Sequence, residues 1–337
     1  CVRLDGLPLA IELVAARISL LTPQAMLQRL DRTLDLARSG ARDLPERQQT
    51  LRGAIAWSHE MLSPADAGLF AALSVFAGGA DLEHIEVVCA DTVEGDILDG
   101  LSSLVDKSLV RQVEGFEGAP RFAMLETIRE YASEQLASRG EADAVRERHA
   151  KVYCGLAADA RDELMGPEQR RWLDRLEQEH DNLRAALRWS LSAGQTEVAL
   201  RLIANLWRFW QMRGYLVEGY GHAAAVLSAV TPQDDPATVA DALEAAGGLA
   251  YWLGDEAAVT LYERALALHR ERRDRSGEAR QWYNLAGAYT MTVDRATGLP
   301  KARDAAQRAV DMYRELGDEP ALARALWAMA NSSYEER

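Results

Sequence analysis

The chain is 337 residues long, 48% hydrophobic and 27% charged, with a net charge of −14. That composition gives enough apolar residues for two or three cores and excludes a disordered chain. No run of about 18 apolar residues exists, so no membrane span is expected, and the three cysteines (Cys1, Cys89, Cys154) stand too far apart for a disulfide framework or a cysteine zinc site.

The charge is unevenly spread. Residues 1–62 carry 8 Arg against 7 Asp+Glu, a net +1. Residues 63–150 carry 7 Lys+Arg against 17 Asp+Glu, a net −10, and residues 151–337 a net −5. A duplex-binding domain needs positive charge to release counterions, which argues against DNA binding by the acidic middle block.

Nearly every segment reads helical. Pro8–Leu21 places Leu9, Leu13, Ala16 and Leu20 on one face. Thr22-Pro23 is a second helix start, with Thr as N-cap and Pro at the first helical position. After a loop over 39–45, a long helix is expected from about Glu46 to Leu62. Ser63-Pro64-Ala65-Asp66 then reads as a helix start in which Asp66 reaches back in a box-like arrangement. That helix ends at Gly78-Gly79. Asp81–Cys89 and Gly95–Asp106 read as two further helices. Ser108–Val113 and Arg121–Met124 flank a turn rich in Gly and Glu and predict one small β-hairpin. Three helices and then a hairpin is the order of a winged helix. A helix over 125–139 follows.

From about Glu141 the pattern is paired helices, with seven of the eight tryptophans expected at the seams. An internal repeat appears at an offset of 44: Arg264–Glu271 matches Arg308–Glu315, and Ala279-Arg280 matches Ala323-Arg324. A loop around Thr292–Leu299 is expected to lengthen that repeat, with Gly254-Asp255 as an inter-helix turn.

No catalytic apparatus is legible. There is no G-x-x-x-x-G-K-[ST] loop and no acidic strand end for magnesium. The six histidines never pair at metal-ligand spacing, so no metal site is expected. Ser58-His59-Glu60 point in different directions from one helix and form no triad. Glu179-His180-Asp181 reads as a helix start or polar surface.

Several phrases occur together in order: Gly6-Leu7-Pro8-Leu9-Ala10, Leu44–Arg52, Ile55-Ala56-Trp57-Ser58, Leu73–Gly79, Leu104–Val110, Met124–Ala132, Glu179–Leu187 and Leu206–Trp210. This succession, over about residues 1–220, resembles the STAND-class (NB-ARC-like) bacterial signal-transduction ATPases found in large LuxR-type regulators. The remainder is similar to tetratricopeptide repeats. The resemblance implies a mainly α fold: a helical ARC-like part (1–62), a winged helix (63–140), a helical linker region (141–235) and an α-solenoid of tetratricopeptide-like pairs (236–337). It also implies a segment of a longer cytoplasmic protein, since residue 1 is Cys and the phosphate-binding half of such a domain is not in the sequence.

By resemblance, Pro8 packs on an adenine, with Gly6 and Leu7 shaping the turn, and ADP or ATP with Mg binds in the full-length protein but not in this segment. The family's Met-His-Asp motif corresponds to Met124-Leu125-Glu126. Leu125 stands at the histidine position and cannot donate a hydrogen bond; Leu125 and Arg129 are the nucleotide-facing candidates at that junction. The repeats are expected to bind a protein or small-molecule signal; Tyr251, Tyr262, Tyr283 and Tyr289 are candidates for that face or, equally, for repeat core. DNA binding is expected only through an effector domain elsewhere. The alternatives are a nucleotide-independent scaffold and a DNA-binding regulator acting through the winged helix.

Overall fold

Fifteen helices and one three-stranded sheet form from residues 51–93, 95–292 and 295–334, the part described by this computed structural model. Gly6, Leu7, Pro8 and all but the last helix of the ARC-like part lie outside the described residues. Two compact units divide what is described. One reaches to Tyr153 and takes in Glu177–Ala186; the other holds Cys154–Leu176 and everything from Leu187 onward.

The first unit opens with α1 (Leu51–Glu60) and α2 (Pro64–Ala72), the latter continued by a 3-10 turn over Leu73–Val75. Ser63 caps α2, its Oγ accepting from the Asp66 N–H at 3.1 Å, and Pro64 sits where its missing N–H costs nothing. The Asp66 side chain departs from the expected box. It accepts instead from Ser103 Oγ at 2.9 Å, because α4 packs close enough to offer a side-chain donor. Leu69, Phe70, Leu73 and Phe76 are buried, as the apolar spacing requires.

Helix α3 (Leu82–Cys89) is capped by Asp81, and α4 (Ile97–Asp106) by Asp96, which accepts from both Leu98 and Asp99. At Gly100 a Cβ would stand 2.7 Å from a Leu69 methyl, so α4 meets α2 where it has no side chain.

The expected hairpin is present as β2 (Arg111–Glu114) and β3 (Pro120–Ala123), in antiparallel register from Arg111↔Ala123 to Glu114↔Pro120. It is not the whole sheet. A two-residue strand, β1 (Ala80–Asp81), pairs antiparallel with β3, giving the order β1-β3-β2. Two residues carry no alternation to read, which is why the sequence pattern misses β1. Helix α5 (Glu126–Ser138) closes the winged helix against α2.

Helices α6 (Ala142–Glu163), α7 (Gln169–Gln178) and α8 (His180–Ser192) each contribute residues to both units. The second unit continues as an α-solenoid of helix pairs. Helix α9 (Thr196–Arg213) pairs with α10 (Leu216–Ser228), and α11 (Pro236–Leu253) with α12 (Ala257–Glu271). Then α13 (Arg275–Thr292) pairs with α14 (Arg295–Leu316), and α15 (Glu319–Tyr334) follows. The first helices of successive pairs also pack on one another. Gly254 ends α11 in the left-handed conformation, as the expected turn requires.

Most matched positions of the 44-residue repeat have the same burial in both copies. Ala265 and Ala309, Leu266 and Val310, and His269 and Tyr313 are buried, while Arg264 and Arg308 are exposed. The correspondence weakens in the next helix, where Ala279 is buried and Ala323 exposed. The loop expected over 292–299 is largely helix, since α14 begins at Arg295 and includes Pro300. Pro300, past the first turn, forgoes one backbone hydrogen bond, and Leu299, Ala302 and Ala306 supply a buried face that holds the helix through it. Not all tryptophans fill seams either: Trp252 is 53% exposed and Trp327 66%.

Candidate functional site

The densest polar chemistry in the first unit lies inside it. Arg121 on β3 is 5% exposed at its side chain, and Glu179, just before α8, is 4% exposed. The guanidinium engages both Glu179 oxygens, donates through Nε to the Gly78 carbonyl at 3.0 Å, and through Nη2 to the Gly79 carbonyl at 2.7 Å. Tyr153 donates to Glu179 Oε2 at 3.0 Å. Asn182 Nδ2 donates to the same oxygen at 2.7 Å and to the Gly79 carbonyl at 2.9 Å. The network extends to His149, whose Nε2 lies 3.3 Å from Asn182 Oδ1.

Gly78 and Gly79 both have φ near +80°, a backbone that other residues rarely adopt. At Gly79 a Cβ would also lie 2.4 Å from the Phe122 carbonyl. The network therefore holds a turn that only glycine can make, and with it the start of β1.

Glu179-His180-Asp181 is the expected helix start, since α8 begins at His180, and Asp181 is exposed; Glu179 and His180, however, are buried rather than surface. The signal was in the spacing. His149 and Tyr153 are four apart and share a face of α6, and Glu179, at the start of α8, stands three before Asn182, where the two side chains can meet.

Burial opposes charge on Arg121, but the hydrogen bonds and charge of Glu179 hold its guanidinium more firmly protonated than usual. Burial drives the His149 imidazole down to about 4 and pushes the Tyr153 hydroxyl up. Asp81, His84 and Glu179 bring possible ligand atoms within 4.8 Å of one another. Both Glu179 oxygens are already taken, and a divalent cation there would face the Arg121 guanidinium, so the group is an internal ion network. Burial raises the Cys89 thiol to about 12, which removes it as a nucleophile.

Leu125 stands at the N-cap of α5 and offers no side-chain hydrogen bond. It lines a groove of about 470 Å³ together with Val105, Leu109, Arg111, Ala123 and Ile128. Arg129, one turn on, is paired with Glu126 and donates to the Ser74 carbonyl at 3.2 Å. Burial opposes its charge, while Glu126 holds it protonated. A phosphate at this point would have to compete with Glu126.

The exposed residues of α4 and its cap are Asp96, Leu98, Asp99, Ser102 and Asp106. Lys107 follows, but its Nζ is turned to Ser103 Oγ at 2.7 Å. A reading helix directs Arg, Lys, Asn or Gln at base edges, and this face presents none of them.

In the second unit, Tyr262 and Tyr289 are buried, and Tyr289 donates to Glu263 at 2.9 Å. Both belong to the core between helix pairs rather than to a binding face. Tyr251 and Tyr283 are half-buried. No described helix is long and apolar enough to cross a membrane.

Residues 62–137 match the winged helix-turn-helix domain family. The chain is 36% identical over 335 residues to a Mycobacterium tuberculosis protein named as an HTH-type transcriptional regulator, Rv0890c, and equally to its Mycobacterium bovis counterpart. The match covers 99% of this chain and 34% of the relative, so the chain spans about a third of the length of these relatives. An uncharacterized protein of M. tuberculosis, Rv0894, is 42% identical over 154 residues, 45% of this chain and 39% of that protein. Among solved structures, a STAND protein with a tetratricopeptide repeat sensor from Pyrococcus horikoshii aligns over 96% of this chain and 62% of its own. It does so at 14% identity and a TM-score of 0.31, too loose to carry an argument. Residues 62–137 are therefore a winged helix-turn-helix domain, set in a chain that is similar along nearly its whole length to about a third of the length of the mycobacterial proteins named above.

Proposed function

We propose that this chain is the regulatory segment of a STAND-class, nucleotide-dependent switch that controls transcription. The similarity to proteins named as HTH-type regulators and the ordered motifs from Gly6 to Trp210 support the reading. The observation that carries it is the acidic exposed face of α4 in an otherwise well-formed winged helix. A winged helix with that face packs inside a switch and leaves DNA reading to another domain.

In this mechanism the tetratricopeptide-like pairs receive a protein or small-molecule signal. The signal shifts the junction of β3 and α5, where Leu125 and Arg129 lie, relative to a nucleotide that Gly6, Leu7 and Pro8 help to hold. The cytoplasmic full-length protein would bind ADP or ATP with Mg, and this segment would supply no catalytic group. The coupling requires the signal to prefer one state by about 1–3 kcal/mol.

Two measurements on the 337-residue chain test this. A gel shift with random-sequence duplex at low salt should show no complex; a salt-sensitive complex would transfer the function to DNA reading by the winged helix. Calorimetry with ADP should show negligible binding, and micromolar binding would remove the division of labour between this segment and a phosphate-binding domain.

A further inference from the structure

In the second unit, Arg208 lies on α9 with its guanidinium carbon 3.8 Å above the Trp207 ring. Trp207 itself lies flat against α11, where a Cβ on Gly248 would stand 2.7 Å from the ring. Its neighbour Gly247 leaves the same space for Tyr262, at 2.6 Å. Each glycine inside α11 is a poorer helix former than alanine. The two ring positions are held against that local cost.

Half-buried Arg208 differs from three other arginines packed within the fold. Arg121, Arg129 and Arg280 each meet a carboxylate within hydrogen-bonding distance and are held more firmly protonated than usual. The one side-chain hydrogen bond of Arg208 goes to the neutral Gln211 Oε1, at 3.3 Å. Among the described residues, no carboxylate lies within ion-pair distance of it. The groups that face it are Tyr262, Glu244 and Tyr283. Glu244 is already committed: its Oε2 accepts from Arg280 Nε at 2.7 Å and from Gln281 Nε2 at 2.6 Å. Burial accordingly makes the Arg208 guanidinium easier to deprotonate than usual.

A half-buried guanidinium without a carboxylate keeps unused donors, and stacking on Trp207 occupies only the face of the group. Its planar fork of donors matches an oxyanion. We propose that Arg208, on its Trp207 platform, anchors an oxyanion of the signal received by the helix pairs, a carboxylate or a phosphoryl group. The assignment rests on the reading that these pairs receive a signal.

The test is thermal unfolding of the 337-residue chain at pH 7 in chloride, inorganic phosphate and succinate at matched ionic strength. The wild type should melt roughly 2–4 °C higher in at least one of the two oxyanions, the shift expected for about 1 kcal/mol of binding in a unit of this size. A phosphate-only rise identifies a phosphoryl ligand, and a succinate rise a carboxylate. Arg208→Met should lose the rise, and Arg208→Lys should keep part of it. Fluorescence titration of the wild type against Trp207→Phe reads the same event at the platform itself and should saturate with the same midpoint. No rise in the wild type, or an equal rise in Arg208→Met, overturns the Arg208 site. The broader reading falls on separate ground, if deleting residues 236–334 from the longer protein leaves its transcriptional output unchanged.

Discussion

Two arginines, buried Arg121 in the first unit and half-buried Arg208 in the second, show opposite treatments of the same problem. Arg121 is enclosed with Glu179, and Tyr153, Asn182 and two backbone carbonyls complete the set. Arg208 is half-buried beside an indole ring and one neutral amide. A closed network fixes one arrangement, whereas an open cation leaves free energy available to a ligand. The first belongs to architecture and the second to recognition.

The sharpest way to break this comparison is to remove the two cations in parallel. Arg121→Met should cost about 3–5 kcal/mol in urea unfolding, since it strands Glu179 in the interior. Adding Glu179→Gln should recover much of that loss. Arg208→Met should cost far less in the absence of ligand. Equal costs for the two single replacements would erase the distinction.

Acid sharpens the comparison next, because it acts on the closed network through His149. The imidazole titrates at about 4 in the folded protein against an ordinary value of 6.5. The unfolded chain therefore binds the extra proton between those values. Stability falls as pH drops below about 6.5, by on the order of 3 kcal/mol near pH 4. Comparing unfolding of the wild type and His149→Gln across that range isolates the effect, which should be absent in the variant.

In the second unit the platform can be probed directly. Gly248→Ala would ordinarily stabilise a helix, but here the methyl meets the Trp207 ring. We expect a loss of about 1–3 kcal/mol by chemical unfolding, with the oxyanion response weakened as the ring is displaced. A gain in stability would mean that the ring has room to move. The smallest effect serves as a baseline for the first unit: Ser63→Ala should cost about 1 kcal/mol by loss of one cap, without altering the pH profile.

Local features were legible in the sequence because their causes are local. Ser63, Asp81 and Asp96 stand where caps must stand, and the helices begin there. The 44-residue repeat reports a periodic burial pattern that the sequence itself carries. Longer-range features were not legible. The pairing of β1 with β3 and of Arg121 with Glu179 joins positions dozens of residues apart, with no pattern between them. Arg208 sits in Leu206-Trp207-Arg208-Phe209-Trp210, which reads as an apolar seam, so its incomplete pairing appears only once its neighbours are in place. Asp66 and Pro300 show a further limit, since each obeys a local rule that packing then reassigns.

The partners of the Gly78-Gly79 turn have a consequence for how the protein is made. Arg121 is synthesised some forty residues after that turn, and Glu179 and Asn182 nearly sixty more after that. While a ribosome is still translating the segment between them, the arginine has no carboxylate and the Gly79 carbonyl lacks its amide donor. The winged helix therefore spends part of its synthesis unfinished, and a gene truncated after α5 should yield a product that is cleared by proteases, even though every strand and helix of the domain is encoded.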